Sequence, residues 1–136
     1  LTDSAAPTTA TRKPRSVTIR LPLPSRELSP NGRFHWRSSA RAKKFARLTA
    51  KYATEAQAGF ARAGGEMAKA TCEARFYFKQ DRRRDRDNLL ASLKAYFDGV
   101  ADAGLVRNDS DMTYLPVVVA IDRTNPRVEL HITETE

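Results

Sequence analysis

From Ala70 to Phe78 the chain sets Ala70, Cys72, Ala74, Phe76 and Phe78 in alternation with Thr71, Glu73, Arg75 and Tyr77. A run with a period of two is a β-strand with one face on a core and the other towards water. Such a strand needs neighbours on both edges and a cover for its apolar face. Three further segments supply the neighbours: Val17, Ile19 and Leu21 before Pro22 and Pro24, then Leu115, Val117, Val119 and Ile121, and finally Val128, Leu130 and Ile132. Arg123-Thr124-Asn125-Pro126 reads as a hairpin turn between the last two. Two stretches with helical spacing supply the cover. In the first, Ser39 is placed to cap a helix reaching about Ala63, with Phe45, Leu48, Tyr52, Ala56 and Phe60 on its inner face and Gly64 and Gly65 ending it. The second starts near Asp87 or Asn88, buries Leu90, Leu93, Phe97 and Val100, and stops at Gly104. The pattern predicts an α+β fold in a single domain, a mixed sheet of about four strands packed with two main helices. Residues 1–16, rich in Thr, Ala, Ser and Pro, form a flexible basic tail, and residues 17–136 form the domain. Arg12, Lys13 and Arg15 at the end of the tail are within reach of a polyanion.

At 136 residues there is room for one modest core. A net charge of +8 favours a polyanionic partner, of which nucleic acid is the commonest, although a basic surface can also serve solubility alone. No apolar run approaches the roughly 18 residues needed to span a bilayer, and no secretory signal is legible, so neither a membrane partner nor export is expected. A cytoplasmic protein is expected. Cys72, the single cysteine, falls on the apolar side of its strand and reads as a small buried hydrophobe.

The chemistry concentrates in residues 81–111. Arg82, Arg83 and Arg84 run into two carboxylates one residue apart, Asp85 and Asp87, followed by Lys94 on the next helix and by Asn108, Asp109 and Asp111 in the loop beyond it. Arginines that attract a phosphate backbone sit beside acids that repel it, and a divalent cation between carboxylates and phosphate removes the contradiction. Asp85, Asp87 and Asp109 supply the oxygen ligands that Mg2+ takes, with Mn2+ able to substitute, and no organic cofactor is implied. Lys94, about two turns after Asp87, can meet the charge growing on a phosphate. The plainer alternative is that Asp85 and Asp87 cap a helix and that Lys94 pairs with Asp98 four residues on. DNA contact is expected from Arg33 and Arg37 in an aromatic, basic loop that holds Phe34, His35 and Trp36, and from Arg41 and Lys44, which with Arg47 and Lys51 form a cationic stripe on the first helix. Phe34 and Trp36 could equally close the bottom of the core. His35, lacking a partner nearby in sequence, is a weak catalytic candidate.

The order Arg82-Arg83-Arg84-Asp85-x-Asp87-Asn88, then Lys94, Phe97-Asp98, Ala103-Gly104 and Asn108-Asp109, resembles the RusA family of Holliday-junction resolvases. Leu21-Pro22-Leu23-Pro24-Ser25 and the loop from Asn31 to Arg37 are similar to that family's N-terminal region. The resemblance implies a homodimeric crossover junction endodeoxyribonuclease acting on branched DNA, with Asp85, Asp87 and Asp109 as magnesium-binding acids and Lys94 as the catalytic lysine. The long tail and first helix point towards a phage-type member.

A length argument adds to the expected dimer. A straight helix over residues 88–103 spans roughly 24 Å, whereas the chain from Gly104 to Asp109 returns at most about 17 Å. Asp109 is therefore expected to complete the site of the partner subunit, or the site to lie at the dimer interface. The rival functions are a non-catalytic basic nucleic-acid-binding module and, less compatible with so short a chain, a metal-dependent phosphatase or glycosyltransferase.

Overall fold

The computed structural model describes residues 14–135. Most of the basic tail, including Arg12 and Lys13, lies outside the described residues, as do Glu136 and the side chains of Phe60 and Arg62. Among the described residues five strands and three helices follow one another: β1 (Ser16–Leu21), α1 (Trp36–Arg62), β2 (Lys69–Phe78), α2 (Arg86–Ala91), α3 (Lys94–Asp102), β3 (Met112–Tyr114), β4 (Val118–Ile121) and β5 (Arg127–Thr135). Short 3₁₀ turns at Arg26–Leu28 and Asp109–Asp111 punctuate the loops.

The half-buried strand read from the sequence is the axis of a mixed sheet. β2 pairs antiparallel with β5 along one edge, and β5 pairs antiparallel with β1. Along its other edge β2 carries two short parallel partners in tandem, β3 beside Ala70–Cys72 and β4 beside Arg75–Phe78. A single strand was expected over residues 115–121, joined to the last by a hairpin; instead residues 123–126 connect strands on opposite edges of β2, and the expected segment gives only β4, with β3 placed before it. Pro116 lies between them and has no N–H for the ladder, so pairing lapses and resumes at Val118. Val17, Ile19 and Leu21, Ala70, Cys72, Ala74 and Phe76, and Val128, Leu130 and Ile132 are buried on one sheet face beneath α1 and α3. The opposite face is polar, with Glu129 almost fully buried among Arg20, Arg127 and His131. Burial alone would push the Glu129 carboxyl up; Arg127, His131 and Arg20 outweigh it and hold the group below its ordinary value.

Three expectations about the helices need correction. α1 starts a turn earlier than Ser39, at Trp36, because the His35 ring accepts the Arg37 N–H through Nδ1 and caps the end. Its inner face is Ala46, Ala50, Thr54 and Ala61, not the row of large residues: Phe45, Leu48 and Tyr52 are 72%, 40% and 60% exposed. The small residues win because α1 lies very close to α3. A side-chain carbon added to Gly99 would run into the Arg47 carbonyl oxygen and come within 2.8 Å of the Ala50 methyl. The second helix is not straight. It breaks at Ser92 and Leu93, where the Ser92 hydroxyl donates to the Leu89 carbonyl oxygen at 2.7 Å and Leu93 N–H takes the tighter bond to Leu90.

Candidate active site

β2 runs out at Phe78, and the arginine segment leaves from its end. Arg84 is anchored there, its guanidinium 3.5 Å from the centroid of the Phe78 ring. Burial, with repulsion from Arg82 behind it, draws the Arg84 pKa down. Asp85 then starts α2. Its Oδ1 accepts the N–H groups of Asp87 (2.9 Å) and Asn88 (3.3 Å), an N-cap that leaves the second carboxylate oxygen outside this contact. Asp87 follows in the first turn, exposed. The plainer reading of Asp85 as a helix cap is therefore right as structure, and it holds the carboxylate at the edge of a cleft of about 650 Å3. Arg26, Lys79, Arg82 and Arg84 rim that cleft, with Leu23 and Leu89 among its apolar lining. Arg83 is exposed outside it.

A second cleft, of about 480 Å3, opens across the α2–α3 break, with Ser92 bordering both. Lys94 lies on it with Lys43, Lys44 and Arg47 of α1. The Lys94 ammonium donates to Asp109 at 2.6 Å and to Asp98 at 2.7 Å. Those two bonds, that to Asp109 foremost, raise the lysine pKa and keep it charged, although the side chain is 64% exposed. Asp109 is held from the far side as well, since the Tyr114 hydroxyl donates to its backbone carbonyl at 2.8 Å. Asn108 and Asp111 close a reciprocal cap around the 3₁₀ turn, so the Asn-Asp-x-Asp run is a rigid corner. Arg47 grips Asp102 through two hydrogen bonds of 2.5 and 2.8 Å, tying α1 to the end of α3.

Asp109 thus meets Lys94 of its own chain, which the straight-helix length argument did not foresee. Asp85, Asp87 and Asp109 do not gather in the chain: among the described residues no three acids, histidines or cysteines stand close enough to hold a metal ion together. What the chain offers is the oxygen chemistry of a one- or two-carboxylate site at the start of α2, the arrangement magnesium commonly uses when water and phosphate complete its shell. The expected cationic stripe is divided. Lys44 and Arg47 face the Lys94 cleft, whereas Arg41 borders a separate groove beside Phe45 and Thr49. Lys43 was missed because it falls outside the three-and-four spacing of the stripe; its signal was only adjacency to Lys44. Arg33 and Arg37 are exposed. Phe34 and Trp36, 37% and 68% exposed, do not close the core, and Trp36 stacks on His35 with Arg37 5.1 Å from its centroid. His35 is a cap. Arg15, expected in the tail, is fixed between Glu134 and the carbonyls of Ala61 and Gly65.

No known family model matches the chain. It is similar to an uncharacterized protein of Xylella fastidiosa, 38% identical over 91 residues, covering 62% of this chain and 56% of that protein. The chain therefore spans little more than half the length of the relative it matches. No helix of the described residues is long and apolar enough to cross a membrane.

Proposed function

We propose that this protein is a magnesium-dependent, structure-specific DNA endonuclease of the RusA type, resolving four-way junctions by paired, symmetric phosphodiester cuts as a homodimer. One observation carries the reading: two neighbouring clefts pair acids with a surplus of cations, Asp85 under Arg26, Lys79, Arg82 and Arg84, and Asp98 beside Lys94, Lys43, Lys44 and Arg47. Basic side chains at this density draw in a phosphate backbone. Carboxylates placed on its path make sense only with a counter-cation.

Asp85 and Asp87 are the residues to hold Mg2+, or Mn2+ in its place. When bound, such an ion supplies a polarised phosphate and a water of lowered pKa. The arginines position the strand, and Lys94 meets charge on the phosphate once a phosphate oxygen replaces Asp109 or Asp98 as its partner. Asp109 sets where Lys94 points. For it to be a third metal ligand it must leave Lys94 or come from a second copy. Two equivalent sites related by a two-fold axis suit a reaction that cuts two opposing strands, and a cytoplasmic setting goes with the substrate.

A synthetic mobile four-way junction incubated with protein and magnesium tests this. Symmetric nicks on opposing strands are expected. Asp87→Asn should lower cleavage at least about a hundredfold while junction affinity stays within a few-fold, and Lys94→Ala should cost a similar factor. The helix-cap role of Asp85 and the double neutralisation of Lys94 favour one alternative, a basic binding module without catalysis. Under that reading, neither wild type nor Asp87→Asn cuts the junction with or without metal, and both bind it.

A further inference from the structure

Three times along α1 an exposed aromatic ring stands next to a cation in the chain: Trp36 with Arg37, Phe45 with Lys44, and Tyr52 with Lys51. The Arg37 guanidinium lies 5.1 Å from the Trp36 centroid, and the Lys51 ammonium 5.7 Å from that of Tyr52. Seven residues make close to two full turns, so Arg37, Lys44 and Lys51 fall on one line along the helix, and Phe45 and Tyr52 on a second. Ala46, Ala50 and Thr54 fill the opposite, buried side. A cationic row beside an aromatic row matches the two sides of an unpaired nucleic-acid strand, phosphates on one and base faces on the other. We propose that this side of α1 is a stacking surface for unpaired DNA, and that branches carrying a single-stranded arm belong to the substrate class of the neighbouring clefts.

Charge and position select this occupant. Arg47 of the same helix is committed to Asp102, whereas Arg41 and Lys44 make no ion pair among the described residues. Lys44 also borders the cleft that holds Lys94, and Leu28 lines both that cleft and a groove of about 470 Å3 beside Phe45. A strand leaving the Lys94 cleft therefore meets Lys44 and then the Phe45 ring. The groove offers it further apolar surface in Pro22, Leu23 and Tyr96, with Arg41 among the lining. The acid on its wall, Glu27, accepts the Ser25 hydroxyl at 3.0 Å. A duplex is the poorer occupant, because its base faces are stacked on one another and it leaves the rings of α1 in water. A protein segment would have to be acidic and apolar at once, and would not account for the cationic row running into the Lys94 cleft. The inference rests on the endonuclease reading for the path of the strand and names a further substrate of that site.

Trp36, the single tryptophan, reports on the face directly. A short oligothymidylate added to the full chain without metal should quench its fluorescence saturably. A three-armed branch with one single-stranded arm should bind at least about fivefold more tightly than the same branch with that arm made duplex. Phe45→Ala combined with Tyr52→Ala should weaken oligothymidylate binding at least about tenfold and remove the preference between the branches, while binding of a fully duplex four-way junction stays within about twofold. Phe45→Tyr combined with Tyr52→Phe keeps both rings and should bind as the wild type does, which separates stacking from folding. The proposal is overturned by a wild type without a saturable quench, by equal affinity for the two branches, or by an alanine pair that binds oligothymidylate normally or loses duplex binding to the same extent. An alanine pair whose sedimenting mass falls to half gives the face to a second copy and overturns it too. Every readout is binding. A protein that stacks oligothymidylate yet never cuts a junction loses the endonuclease reading and keeps the stacking surface, whereas one that cuts duplex junctions but fails these tests keeps the endonuclease reading alone.

Discussion

Lys94 opens α3 with its ammonium already shared between Asp98 and Asp109. A phosphate that reaches it must exchange for one of these acids, so the lysine contributes less to ground-state affinity than its charge suggests and more to discrimination, because only a well-placed phosphate completes the exchange. Arg15 shows the opposite use of a cation: a paired guanidinium, 17% exposed, that fastens the chain entry to β5 and to the end of α1. Asp122 gives a pH test. Arg127 first, then the Thr124 hydroxyl and the N–H groups of Asn125 and Thr124, pull its carboxyl down to about 2 from an ordinary 3.8. A folded-state pKa below the unfolded one contributes stability that is complete above the ordinary value and fades as pH falls through the folded one. The melting temperature should therefore fall between about pH 4 and pH 2 more steeply for the wild type than for Asp122→Asn. Parallel curves would show that the Asp122–Arg127 contact carries no stability.

Among the elements, the three long strands and the inner side of the second helix, Leu93, Phe97 and Val100, were legible, whereas the inner face of α1 and the short strands β3 and β4 were not. β1, β2 and β5 lie where alternation put them, because a period of two survives any substitution that keeps one side small or apolar. The inner face of α1 was misassigned for a physical reason. Periodicity weights the bulkiest residues, yet Gly99 and Ala50 let two backbones approach so closely that only alanine-sized side chains fit between them. The break at Ser92 was hidden because an isolated serine in a helical pattern is ordinary, and its hydroxyl turns to Leu89 only in this packing. Of the candidate site, Asp85, Lys94 and Asp109 were found by residue type, while their division between two clefts depends on that break. The tight helix pair predicts its own weak point. Gly99→Ala should push α1 off α3, costing about 1–3 kcal/mol in urea unfolding, and should loosen the Arg47–Asp102 tie. An unchanged midpoint would mean that the helices can part without penalty.

For the whole molecule, the net charge of +8 is concentrated where the clefts are, not spread evenly. If about five phosphates are neutralised by Lys43, Lys44, Arg47 and the arginine segment, the logarithm of junction affinity should fall with the logarithm of salt at a slope of roughly −4 to −5. Fluorescence anisotropy on a labelled junction, titrated across salt, measures it directly. A slope near zero would remove nucleic acid as the partner and with it every reading built on the clefts. Asp109 links this surface to the interior. Its side chain reaches Lys94 on α3, while its carbonyl is held by Tyr114, whose ring packs 4.4 Å from Phe97 and whose strand is hydrogen-bonded into the sheet. Two clocks therefore run at one residue. The carboxylate can swing between neighbours within nanoseconds, but the corner that carries it holds its place until sheet and helix separate, so the site keeps its shape for as long as the protein stays folded.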